Sequence, residues 1–180
     1  MGKKVHITVL IAFVLCSFST DHSSLTQIKD TRSSVKALYL YTFATLIDWP
    51  QDYRKGDFVI GVFGAQEGVL MELQKKYQGK SIGSQGIQIK KFTSTSEINN
   101  PHILYVTEDR SSQIASLSTK LKASSTLLVS EKEGDLDKGS VINFILDGSK
   151  QSYEIDKGNA KKHKLIIADK LSALAMRVTE

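Results

Sequence analysis

The sequence predicts an α/β domain: a mostly parallel sheet flanked by helices, with an antiparallel hairpin at one edge. Three observations lead there. Short, unbroken apolar runs recur at 58–63, 102–106 and 126–129, as strands covered on both faces require. Helix-patterned segments separate most of them, and such alternation favours parallel pairing through crossovers. Near the end, two strand-like segments flank Asp147-Gly148-Ser149-Lys150, a Gly-containing hairpin connection.

Taken in chain order, residues 20–34 are polar and without period, and read as a flexible leader. Val35–Trp49 is the strongest helical segment, with Ser33 or Ser34 as N-cap and Pro50 as its stop. Steps of about 100° place Val35, Tyr39, Leu40, Phe43, Leu46 and Ile47 on one apolar face. Leu38, Tyr41, Thr42, Thr45, Asp48 and Trp49 share the other. Strand 58–63 follows, then a helix over 67–77 and a glycine-rich stretch, 79–86. Ile87-Gln88-Ile89-Lys90 alternates as a half-solvated strand does. Strand 102–106, helix 111–121 and strand 126–129 complete the parallel set. Strands 141–146 and 152–156 form the hairpin, and a last helix over 169–178 carries Leu171, Leu174, Ala175 and Val178 as its core stripe.

At 180 residues, 41% apolar and 24% charged, the chain supports one domain and is not disordered, collagenous or coiled coil. Its net charge of +5 raises a nucleic-acid or anionic-lipid partner. The first residues weaken the nucleic-acid idea. Lys3 and Lys4 precede an apolar run from Val5 to Phe18, and Ser17 and Ser19 stand at the −3 and −1 positions of a cleavage site. That is a secretory signal peptide, 1–19, too short to span a membrane. Cleavage removes Lys3, Lys4 and the single cysteine, Cys16, and lowers the charge to +3. Leu15 before Cys16 is not the small residue a lipidation site prefers. The expected layout is signal peptide 1–19, leader 20–34 and one domain, 35–180, exported to the periplasm.

No catalytic set, cofactor motif or metal site is spelled out. Gly61-Val62-Phe63-Gly64-Ala65-Gln66-Glu67-Gly68 lies where a dinucleotide fingerprint would sit. Its spacing is wrong, and Glu67 would oppose a phosphate. Gly79-Lys80-Ser81 lacks the first glycine of a phosphate loop, since position 74 is Gln74. Asp135-Leu136-Asp137-Lys138-Gly139 begins like a calcium loop but has Leu146 at the twelfth position, and reads as a solvated acidic loop. His102 and His163 lie at no common ligand spacing, and there is no G-x-S-x-G elbow. Lys157, Lys161, Lys162 and Lys164 read as a solvated turn, or as a face for an anionic surface or partner.

Val35 through Pro50, with its aromatic-rich helix ending in Asp48-Trp49-Pro50, resembles the opening of the YfiR-like periplasmic proteins. So do strands 58–64 and 102–106, and the closing segments Val141-Ile142-Asn143-Phe144, Tyr153-Glu154-Ile155-Asp156 and Lys170 to Ala175. The resemblance covers about residues 35–178. It implies a non-catalytic regulator, without cofactor. Its partner would be a membrane-bound signalling protein, typically a diguanylate cyclase, held inactive through its periplasmic domain. No nucleic acid is implied, and a homodimer is left open. Pro101 stands where members commonly carry a cysteine, so thiol control is absent there; Ala168 replaces a serine, leaving Asp169 to cap the last helix. The mixed helix face makes Leu38, Tyr41, Thr45 and Trp49 the expected partner-binding residues, because aromatics give contact area while hydroxyls keep the free surface soluble. Cover by the protein's own C-terminal helix is the competing reading of that face. A small-molecule sensing domain, with its ligand at the switch point of the sheet, is the alternative function.

Overall fold

The computed structural model describes residues 23–180, with side chains from residue 31. The Lys pair, the apolar run, Cys16 and the cleavage motif lie outside the described residues.

Helix α1 runs Ser23–Leu46, so the polar segment expected as a leader is helical from Ser23 onward. Lack of an apolar period does not prevent helix formation when turns propagate from a packed stretch. Ser33 and Ser34 are therefore interior residues and not caps. Ser33 is buried where Gly68 of α2 (Glu67–Tyr77) passes, and a Cβ on Gly68 would lie 2.5 Å from its hydroxyl. Ser34 donates to the Glu72 carboxylate at 2.6 Å. These contacts lock α1 against α2. The helix ends at Leu46, earlier than expected. Ile47–Asp48 is extended as β1 and pairs antiparallel with β9 (Ile166–Ile167).

The main sheet is built from β2 (Phe58–Phe63), β4 (Gln85–Phe92), β5 (Ile103–Val106), β6 (Leu127–Ser130) and β7 (Ile142–Asp147), all parallel in the order β4-β2-β5-β6-β7. Here β3 (Ser81–Ile82) folds back on β4 within the glycine-rich stretch, and β8 (Lys150–Asp156) runs antiparallel to β7. Alternation along the strands sorts two cores. Ile60, Ile103, Tyr105, Leu127 and Val129 face α1 and α2. Phe63, Leu104, Val106 and Leu128 face α3 (Ile114–Leu121), which follows a 3₁₀ turn over Glu108–Gln113.

The C-terminal end departs from the sequence reading. α5 is only Asp169–Ala173. Residues 177–179 form β10 (Arg177–Thr179), pairing parallel with β8. Of the expected stripe, Leu171 is buried, Ala175 and Val178 are partly buried, and Leu174 is 60% exposed. A three-residue strand at a sheet edge carries too little pattern to tell from the end of a helix. Ala168 is the N-cap of α5 and makes no side-chain cap; Asp169 sits in the first turn instead. The lysine-rich segment is a short helix, α4 (Lys157–Lys162), capped by Asp156 accepting from the Asn159 amide.

A polar ladder ties the edge together. Ser130, Asn143, Glu154 and Arg177 are in register on four neighbouring strands. Ser130 donates to Asn143, Asn143 to Glu154, and Arg177 donates twice to Glu154, at 2.8 and 2.6 Å. Each buried polar side chain thereby finds its partner on the next strand.

Candidate functional site

In an open sheet of this order, β2 leads through α2 to one side and β5 lies on the other, so the carboxyl ends of β2 and β5 form the topological switch point. Gly64 makes the turn after β2 with φ +124, and a Cβ there would lie 1.7 Å from Thr107 Oγ1. The Ala65 amide donates to Thr107 Oγ1 and to Asp109, each at 3.2 Å. The Thr107 hydroxyl holds the Asp109 carboxyl below its ordinary range. Side chains of this chain thus take up the Ala65 amide at the turn, and Glu67 places a negative charge in the first turn of α2.

Glu131, just after β6, organises the adjoining space. Its carboxylate accepts from Lys36 of α1 and from the Tyr105 hydroxyl. It also accepts from the Glu108 amide at 2.9 Å and from Gln66 at 3.4 Å. The Lys36 and Glu131 side chains are 15% and 6% exposed. Taking that pair out of water is costly, and the additional donors offset it. Burial, and then the neighbouring Glu131, push the Tyr105 phenol well above its ordinary range, so it stays a neutral donor. Around this core opens a cleft of about 740 Å³, rimmed by Arg32, Glu133, Asp137, Glu154 and Arg177. Within it Lys36 pairs with Glu131, and Arg177 with Glu154. No nucleophile is paired with a base in it. Among the described residues, no group of three or more His, Cys, Asp or Glu could hold a metal ion.

The four expected partner-binding residues do not share one surface. Leu38 is 52% exposed, and Thr45 is exposed. Tyr41 is half-buried and stacks flat on Tyr77 of α2. Trp49 is 6% exposed and packs edge-on against Phe58, so its ring belongs to the core. Extension after Leu46 breaks the helical spacing that had grouped Trp49 with Tyr41. α2, and not the C-terminal helix, covers Tyr41. The loop at 135–139 also differs from its sequence reading: Asp135 is buried, accepting from Ser111 at 2.6 Å and Lys138 at 2.9 Å. His163, expected in a solvated turn, is buried too. The sequence reading missed Lys36 and Glu131, which are 95 residues apart and share no local motif.

The model of the YfiR/HmsC-like family (DUF4154) matches residues 33–176, most of the chain. The chain belongs to the YfiR/HmsC-like family. Members are non-catalytic regulators, and membership supports, in general terms, a periplasmic role in cyclic di-GMP signalling. Among solved structures, this YfiR/HmsC-like chain is similar to a conserved domain protein from Vibrio cholerae O1 biovar El Tor. The TM-score is 0.55 at 14% identity, covering 79% of this chain and 60% of that one. It thus spans about three fifths of that relative's length, and the likeness is one of fold. A weaker likeness is to the ABC domain from Streptococcus pneumonia in complex with L-Trp, at TM-score 0.48 and 11% identity, covering 67% and 54%. No curated protein matches. Among the described residues, no helix is long and apolar enough to cross a membrane.

Proposed function

We propose that this chain binds the periplasmic part of a membrane-bound signalling enzyme, a diguanylate cyclase, and restrains it. Family membership over residues 33–176 carries the reading. The uncovered strip of α1 supplies a surface for it. Leu38, Thr42 and Thr45 follow one another at helical spacing. The two hydroxyls bond back to the Leu38 and Thr42 carbonyls at 2.9 and 2.8 Å, so the strip is soluble when free. Docking there would bury Leu38 without stranding a polar group. The test uses protein from periplasmic extracts to capture solubilised inner-membrane proteins, followed by assay of cyclase activity in the captured fraction. Capture with suppressed activity, lost in Leu38→Asp at unchanged melting temperature, supports the proposal. Capture unaffected by Leu38→Asp removes α1 from the interface, and absence of any cyclase overturns the reading.

The cleft beside Glu131 favours a second reading, a small-molecule sensor. Its volume lies in the range of ligand sites, and its rim carries both charge signs. A metabolite that raises the melting temperature of the protein, but not of Arg32→Ser, identifies that function.

A further inference from the structure

We infer that the end of the domain carrying α4 and β9 docks on an anionic lipid surface, with Ile166 as its apolar anchor. This inference concerns lipid and does not depend on which protein the chain restrains.

The topology sorts charge between the two ends of the sheet. The strand β8 runs against the parallel strands, so α4 begins beside the start of β7, where Asp156 N bonds Val141 O. The strand β9 pairs with β1, just ahead of β2. Helices α2 and α3 return along the sheet, bringing the lysines beyond their C-termini to the same end. Lys80, Lys122, Lys161, Lys162 and Lys164 are all exposed there. Neither Lys161 nor Lys164 forms an ion pair among the described residues. Of the nearby carboxylates, Asp48 faces Arg54 at 3.7 Å, Glu180 holds Lys157 at 3.1 Å and Asp156 caps α4, while Asp169, just beyond β9, is exposed. At the opposite end, the cleft sets the carboxylates Glu108, Glu131, Glu133, Asp137 and Glu154 against the cations Arg32, Lys36 and Arg177. A negatively charged plane would attract the first end more strongly than the second, where the two signs are mixed.

Amid the lysines, Ile166 is 68% exposed, the most exposed large apolar side chain described. It sits on the two-residue strand β9 between buried Leu165 and half-buried Ile167, beside a groove of about 330 Å³ that Ala160 and Gly158 also line. An aliphatic side chain standing among flexible lysines matches the headgroup boundary of a bilayer: the stem enters and the ammonium groups stay at phosphate level. Residues 157–170 hold no arginine, and Arg54, which lies beside the patch, faces Asp48, the residue paired with Ile166. Lysine acts as a mobile point charge, suited to a diffuse lipid surface, whereas recognition of carboxylates on a protein favours the arginine fork. Lipid is therefore the occupant, and an acidic protein surface is the outcome that would refute it.

The experiment is co-sedimentation of the protein, purified from a periplasmic extract, with vesicles of phosphatidylcholine alone or with equal parts of phosphatidylglycerol. Partition onto the anionic vesicles only, weakening as salt rises, is expected. Lys161→Gln and Lys164→Gln should each lower the partition coefficient about fivefold. Ile166→Asn should lower it at constant charge, and the pair Lys132→Gln with Lys150→Gln, at the other end, should change it little. All these side chains are exposed, so melting temperatures should match the parent. Equal binding to both vesicle types overturns the proposal, as does an equal loss from the opposite-end pair or no loss from Ile166→Asn. Retention by native membranes but not by lipid vesicles overturns it in favour of a protein partner.

Discussion

Tyr41 of α1 and Tyr77 of α2 lie face to face, with ring centroids 4.4 Å apart and planes inclined by 8°. The pair closes the seam between the two helices above the Gly68–Ser33 contact. It converts what the helical spacing presents as open surface into internal packing. Burial pushes the Tyr77 phenol above its ordinary range, in keeping with a ring seated in that seam.

A double-mutant cycle on this pair should show coupling. Tyr41→Ala and Tyr77→Ala should each destabilise, and the interaction energy should be about 0.5–1.5 kcal/mol from urea melts. Additive effects would mean that each ring packs independently.

Phe43 and Trp49 separate packing from hydrogen bonding. Phe43 is fully buried and contacts the rings of Tyr39, Phe144 and Tyr153. Phe43→Ala should cost about 3–5 kcal/mol. Trp49 is also buried, but its indole N–H has no hydrogen-bond partner among the described residues. Trp49→Phe should therefore cost only about 1 kcal/mol, while Trp49→Ala should approach the Phe43→Ala loss. Denaturation midpoints at constant slope provide the comparison.

Lys36 and Glu131 should behave as one unit. Lys36→Met leaves the Glu131 carboxylate buried with only neutral donors, and should destabilise by about 3–5 kcal/mol. Adding Glu131→Gln to that variant should restore part of the loss, because the stranded charge is gone. A double variant no more stable than Lys36→Met would contradict this account, with chemical denaturation as the measurement.

Two buried histidines should make the fold acid-sensitive. His102 accepts the Val59 amide at Nδ1, 3.1 Å, and its Nε2–H donates to the Tyr53 carbonyl, 2.7 Å. His163 is the C-cap of α4, with Nδ1 3.4 Å from the Ser124 carbonyl. Burial lowers both pKa values below 6.5, against carbonyl contacts that raise them. Above about pH 6.5 both states are neutral and no penalty exists. As pH falls below that value the unfolded chain takes up protons that the folded chain refuses. Stability should then drop by up to about 1.4 kcal/mol per pH unit for each histidine, until the lowered pKa is reached. His102→Asn can still accept from Val59 through Oδ1 and should remove its share of the slope. Melts between about pH 7 and about pH 5 test this.

Strand content and fold class were legible locally. An unbroken apolar run such as Phe58–Phe63 must be covered on both faces, and the helical segments that alternate with such runs provide that cover on a parallel sheet. The 147–150 turn likewise specified its hairpin through one connection. The candidate site was not legible, because its charges come from α1, the end of β5 and the end of β6, and no spacing within one segment joins Lys36 to Glu131.

By itself the sequence determined the longer strands of the main sheet, the hairpin turn at 147–150, and that the first helix has a continuous apolar face. All of these follow from residues a few positions apart. Only the tertiary structure decided which parts of the second face stay open. Tyr41 is covered because Tyr77 arrives from another helix, and Trp49 is buried because the chain leaves the helix at Leu46 to pair with Ile166–Ile167. The same holds for the last strand, whose three residues are extended because β8 offers them an edge. Burial of an amphipathic face depends on the partner that reaches it, and that partner is set by contacts distant in the chain.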